Sequence, residues 1–84
     1  MERSAIHAQV RAYMVTLFDT PPEAVTLEAD LAEDLDLDSI DAVDLVVKLQ
    51  ELTGRKIKAD EFKTVRTVGD VVERVYNLSH EKDV

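Results

Sequence analysis

The chain has 84 residues, 45% of them hydrophobic, and its 10 Lys and Arg against 18 Asp and Glu leave a net charge of −8. That apolar fraction is enough to bury a core, so wholesale disorder is excluded and one domain over 1–84 is expected, ordered from about residue 4 to 78 with a polar C-terminal tail. The acidic balance excludes nucleic acid as a partner, no apolar run approaches the ~20 residues of a membrane span, and the absence of cysteine removes disulfides and thiolate metal sites. The amino terminus lacks the basic, apolar and small-residue sequence of a secretory signal, so a soluble cytoplasmic protein, monomeric when free, is expected.

From Ser4 to Phe18, Ile6, Val10, Tyr13, Met14, Leu17 and Phe18 recur at the spacing of an amphipathic helix. Asp19-Thr20-Pro21-Pro22 ends it, because proline has no amide to donate and forces the residue before it out of the helical region. A long loop follows to about Asp38, with Val25, Leu27, Leu31, Leu35 and Leu37 as its expected apolar pins. Asp34-Leu35-Asp36-Leu37-Asp38 alternates like a strand but has no second alternating segment to pair with, and reads as loop.

A second helix begins near Ile40. Asp38 stands as its N-cap with Asp41 three residues on, an acidic version of the capping box, and Ile40, Val43, Val47 and Leu45, Leu49, Leu52 advance by helical steps. It should end at Thr53-Gly54, with Arg55, Lys56 and Lys58 beyond to suit the negative helix end. One short turn is expected around Phe62, over Asp60 to Lys63. Thr67 and Asp70 then cap a last helix with the stripe Val68, Val71, Val72, Val75 and Tyr76. The fold class is all-α: a small bundle of three main helices plus one short helix, four in all.

Charge is concentrated. Nine acids lie between Glu28 and Glu51 against the single base Lys48, so this window holds the whole net charge and the remainder is neutral. Asp34, Asp36 and Asp38 have the alternate spacing of a helix–loop–helix calcium site. Counted from Asp34, however, the sixth position is Ser39 rather than glycine and the twelfth is Leu45 rather than glutamate. Nucleophilic catalysis by Ser39 would need a base, and helical spacing forces neither His7 nor His80 toward it. No enzyme is expected. Ser39 nevertheless opens a helix whose amides and dipole suit an attached phosphate, although serine is common at helix starts for reasons of capping alone.

The full run from Glu33 to Leu45, with Asp38-Ser39-Ile40 at its centre, resembles the modification site of acyl carrier proteins, whose usual signature is Gly-x-Asp-Ser-Leu before an acidic amphipathic helix. The likeness extends over roughly Ala5 to Tyr76, with Ile57 before the short helix and Thr67-Val68-Gly69-Asp70-Val71 opening the last one. Departures are Asp36 for glycine, Ile40 for leucine, Thr53 where many members carry an aromatic, and the basic Arg55, Lys56 and Lys58. The last of these hints at partners unlike those of a housekeeping fatty-acid carrier.

The resemblance implies that a phosphopantetheinyl transferase joins 4′-phosphopantetheine from coenzyme A to Ser39, making a phosphoprotein whose arm carries acyl groups as thioesters. It implies docking of ketosynthase and other acyl-processing enzymes, through their basic patches, on Asp36, Asp38, Ile40, Asp41, Asp44 and Glu51; Asp41, Asp44 and Glu51 are expected on one exposed face. It further implies that Leu45, Leu49, Phe62, Val65 and Val71 border a space for a folded-back acyl chain, positions that ordinary core periodicity explains equally well. Fatty-acid and polyketide systems both fit. A D-alanyl carrier and an unmodified acidic helical adaptor are the alternatives, and the lack of glycines before Ser39 argues against a peptidyl carrier.

Overall fold

The structure, a computed structural model, describes residues 2–57 and 64–79. The first helix, α1 (Arg3–Phe18), turns Ile6, Val10 and Met14 into the core. It stops at Asp19, which adopts the left-handed conformation (φ 55°), while the amide of Thr20 folds back to the Met14 carbonyl at 3.3 Å. The two prolines therefore enforce a boundary that the backbone has already made. Pro22 opens a single 3-10 turn, Pro22–Ala24, at the position where its missing donor costs nothing.

Helix α2 (Ser39–Thr53) buries Leu45, Val46 and Leu49 and ends on Gly54 at φ 69°, a conformation that glycine adopts without steric cost. Beyond it Ile57 turns inward, its amide held by the Gln50 side chain at 2.7 Å. Helix α3 (Val68–Ser79) buries Val68, Val71, Val72, Val75 and Leu78, and is capped as expected: Thr67 Oγ1 accepts the Asp70 amide and Asp70 Oδ2 accepts the Thr67 amide, both at 3.2 Å. The short turn expected around Phe62 lies outside the described residues, as does the tail beyond Ser79. Among the described residues there are three α-helices and no strand.

α1 packs against both other helices, most extensively on α3. At its start Arg3 pairs with Glu73 and lies 3.9 Å from the centroid of the Tyr76 ring. That hydrogen bond holds the Glu73 carboxyl below its usual range, but both groups are solvated and the pair adds little to stability.

The long loop departs from the expectation at one of its five pins. Val25 and Leu35 are buried and Leu31 and Leu37 half-buried, yet Leu27 is 45% exposed and Ala29 takes an inward position. What holds this stretch is backbone pairing with the start of α3. The Leu31 amide donates to the Arg66 carbonyl (2.8 Å), Val68 to Ala29 (3.0 Å) and Gly69 to Leu27 (2.8 Å), around one isolated antiparallel bridge between Asp30 and Thr67. Gly69 suits this close approach, since a β-carbon would meet the Leu27 oxygen at 3.0 Å. A side-chain pattern does not reveal such pairing, which is why Leu27 reads as a pin in the sequence.

Candidate functional site

Ser39 is the first residue of α2 and is exposed. Asp38 before it is extended and accepts the amides of Ile40 (3.0 Å) and Asp41 (2.9 Å) on one oxygen, while Asp41 returns to accept the Asp38 amide at 3.2 Å. The capping box is thus complete. Of the amides that suit an attached phosphate, the cap takes those of Ile40 and Asp41.

The acidic window has further local work. Asp30 Oδ1 accepts the amides of Ala32 and Glu33, both at 2.9 Å, and Asp34 Oδ2 accepts the Asp30 amide at 2.7 Å. Asp36 follows in the left-handed conformation (φ 57°), a strain that aspartate tolerates better than most residues and that glycine would relieve. Asp30, Asp34, Asp38 and Asp41 are therefore backbone acceptors as well as sources of field.

Beside the start of α2 lies a cleft of about 280 Å³ with three walls. The loop supplies Leu31 and Leu37, α2 supplies Ala42 and Leu45, and the segment before α3 supplies Val65 and Arg66; Asp30, Glu33 and Asp38 add carboxylates. Of the five residues expected to border an acyl chain, Leu45 and Val65 line this cleft, Leu49 and Val71 are wholly buried in the core, and Phe62 lies outside the described residues. Ala42 was legible, being one turn before Leu45 on the same face; the loop residues needed the fold to bring them in. Asp36 and Asp41 line a different groove, of about 450 Å³, with Phe18 and Leu35.

The outer face of α2 carries what the sequence left ambiguous. Its two apolar series lie on opposite sides of the helix: Leu45, Leu49 and Leu52 face inward, while Ile40, Val43 and Val47 are 72%, 50% and 46% exposed. At roughly 100° per residue, only one of the two can meet α1 and α3. Asp44 and Glu51 flank this outer stripe in solvent, Glu51 paired loosely with Lys48 at 3.9 Å. Asp41 does not share that exposed face fully, being half-buried in the capping box. Among the described residues no helix is long and apolar enough to cross a membrane, and no group of three or more His, Cys, Asp or Glu could hold a metal ion. His7 Nε2 lies 2.8 Å from the Val25 carbonyl, tying α1 to the loop.

A solvent-facing serine on a rigid helix start, an apolar cleft beside it and an apolar stripe edged by acids define a small helical carrier, a protein that is acted upon and docked. A family model described as the phosphopantetheine attachment site matches residues 8–75. Acyl carrier protein 2 of Ralstonia nicotianae is 55% identical over 78 residues, which cover 93% of this chain and 96% of that protein. The acyl carrier proteins of Saccharopolyspora erythraea and Thermosynechococcus vestitus are 35% and 38% identical, over 93% and 92% of this chain and 82% and 95% of theirs. The chain belongs to the acyl carrier protein family, whose members are carriers rather than enzymes and hold 4′-phosphopantetheine covalently. The residues present suit such an arm: a hydroxyl open to a modifying enzyme stands on a helix start whose neighbouring cleft has apolar walls.

Proposed function

We propose that Ser39 is the attachment point of the arm and that the protein carries acyl intermediates to enzymes of fatty-acid or polyketide-type synthesis. The observation that carries this reading is the exposure of Ser39 on the first turn of a capped helix at the edge of the cleft. In the loading step Ser39 Oγ attacks the phosphorus of coenzyme A that bears pantetheine. An O–P bond forms, the phosphoanhydride breaks with release of adenosine 3′,5′-bisphosphate, and the hydroxyl proton passes to a base of the transferase. The bound arm supplies a thiol, which this cysteine-free chain lacks, for thioester formation.

The chain's own residues position and advertise that arm. Asp38 and Asp41 fix the first turn, so Ser39 projects from a defined place. Ile40, Val43 and Val47 offer partners an apolar ridge, and Asp44 and Glu51 beside it attract basic patches. Exposed charge pairs are worth about 0.2–1 kcal/mol each, so the field speeds encounter while each complex stays short-lived, as a carrier serving several enzymes requires. Leu45 and Val65 are the cleft residues that shelter an acyl chain, with Leu49 and Val71 as the core behind them.

The test is intact mass after incubation with coenzyme A, magnesium and a phosphopantetheinyl transferase of proven activity. One phosphopantetheine mass should be gained by the wild type and none by Ser39→Ala. An unchanged wild-type mass would overturn the assignment, and the mass of protein from its own host would show whether the cargo is instead D-alanine.

A further inference from the structure

We propose that Arg66 is the counter-ion of the phosphodiester on Ser39, an inference that rests on Ser39 as the attachment point. The arm brings an anionic phosphodiester to the start of α2, inside a window that already holds the entire net charge of −8 and next to Asp36, Asp38 and Asp41. A helix start ordinarily satisfies a phosphate with its unpaired amides. Here the Ile40 and Asp41 amides donate to the Asp38 carboxylate and the Ala42 amide to the Asp38 carbonyl at 3.0 Å, so that source of positive charge is largely spent. Among the described residues, a cationic side chain beside the helix start is the remaining source of compensation.

The cleft supplies one. Asp38, immediately before Ser39, lines it together with Asp30 and Glu33, and Arg66 is the only base among its described lining residues. The backbone of Arg66 is fixed on both sides: its amide donates to Asp70 Oδ2 at 3.1 Å and its carbonyl accepts the Leu31 amide at 2.8 Å. Its side chain leaves from this anchored point into an exposed setting and makes no hydrogen bond or ion pair with the described residues. Its charge does reach Asp70, as the smallest influence on that carboxyl. A guanidinium suits the task, because its planar fork can present two parallel N–H donors to two phosphate oxygens where an ammonium acts as a point charge. Paired in this way, the phosphodiester end of the arm is drawn across the cleft mouth, and the acyl end is directed along Leu31, Leu37, Leu45 and Val65 rather than into bulk water.

The experiment compares melting temperatures of apo and loaded protein for wild type, Arg66→Gln and Arg66→Lys, with loading verified by mass. At low salt, loading should lower the melting temperature of Arg66→Gln by about 2–5 °C more than that of wild type, with Arg66→Lys between them. The gap should close at about 0.5 M salt, where exposed charges are screened. Equal loading shifts in wild type and Arg66→Gln would overturn the assignment, as would a gap indifferent to salt, which belongs to packing. A gap that appears only when the arm carries a carboxyl-ended acyl group would assign Arg66 to the cargo carboxylate instead. A wild type that gains no mass would overturn Ser39 as the attachment point, and the Arg66 assignment with it; the other outcomes bear on Arg66 alone.

Discussion

Asp38 is both the cap of α2 and the acid next to Ser39, the proposed attachment point, and two substitutions separate these roles. Asp38→Ala removes the acceptor of the Ile40 and Asp41 amides, at 3.0 and 2.9 Å, and leaves only the half of the reciprocal box in which the residue 38 amide donates to Asp41. Loss of an N-cap costs about 1 kcal/mol, and in a domain of this size each kcal/mol moves the melting temperature by about 4–8 °C. Asp38→Asn keeps an acceptor oxygen at the same place and forfeits mainly the charge–dipole contribution, about 0.3–1 kcal/mol when exposed. Thermal melts by circular dichroism should therefore rank wild type above Asp38→Asn and Asp38→Ala lowest. Loading rates should fall in both variants, since both lose the charge that a basic transferase surface meets. An Asp38→Ala protein that melts with wild type would refute the cap's contribution. An Asp38→Asn protein that melts as low as Asp38→Ala would shift the stabilisation from hydrogen bonding to charge.

Gly69→Ala should lower the melting temperature although alanine favours helices, because its methyl would meet the Leu27 carbonyl oxygen at 3.0 Å while that oxygen also accepts the residue's own amide; overpacking of about 1–3 kcal/mol outweighs at most ~1 kcal/mol of propensity, and an unchanged or raised melt would contradict this. The Asp70 carboxyl is held below its ordinary value by the amide of Arg66 and then that of Thr67. A depressed acid gives stability that is present above its unfolded pKa and lost as pH falls through the folded one, so Asp70→Asn should melt below wild type at neutral pH and the difference should begin to shrink below about pH 4 and go on shrinking as the pH falls further. Asp44→Lys should slow loading at low salt and recover as salt rises, with an unaltered melt, whereas Val47→Ser should slow it at every salt concentration. Equal behaviour of the two across the salt series would undo the division of the outer face into charged and apolar parts.

The helices, their stops and both capping boxes were legible because each rests on local chemistry: Thr20-Pro21-Pro22, Asp38 with Asp41, Gly54, and Thr67 with Asp70. The place of Ser39 at the start of α2 was legible for the same reason, its neighbours being its own chain segment. Two kinds of information were missing from the pattern. Helical spacing could not say which apolar series of α2 faces the bundle, since Ile40, Val43 and Val47 have a period as good as Leu45, Leu49 and Leu52. Nor could it find Arg66 at the cleft, because the pairing of Leu31 with Arg66 joins segments thirty-five residues apart and uses only backbone atoms.

That same pairing separates frame from lining. The Leu27–Leu31 stretch is tied to the start of α3 by amides and carbonyls, which every residue but proline possesses in full, so the side chains at 31 to 33 can be exchanged without untying the wall they decorate. Substitutions in a few consecutive codons can therefore reshape the lining that Leu31, Ala32 and Glu33 give the cleft while Ser39 and the outer face of α2 stay in place. On the proposed reading, in which the cleft shelters the cargo and the outer face of α2 meets partners, grafting the 31–33 segment of one carrier into another should change what is carried and leave who is visited unchanged.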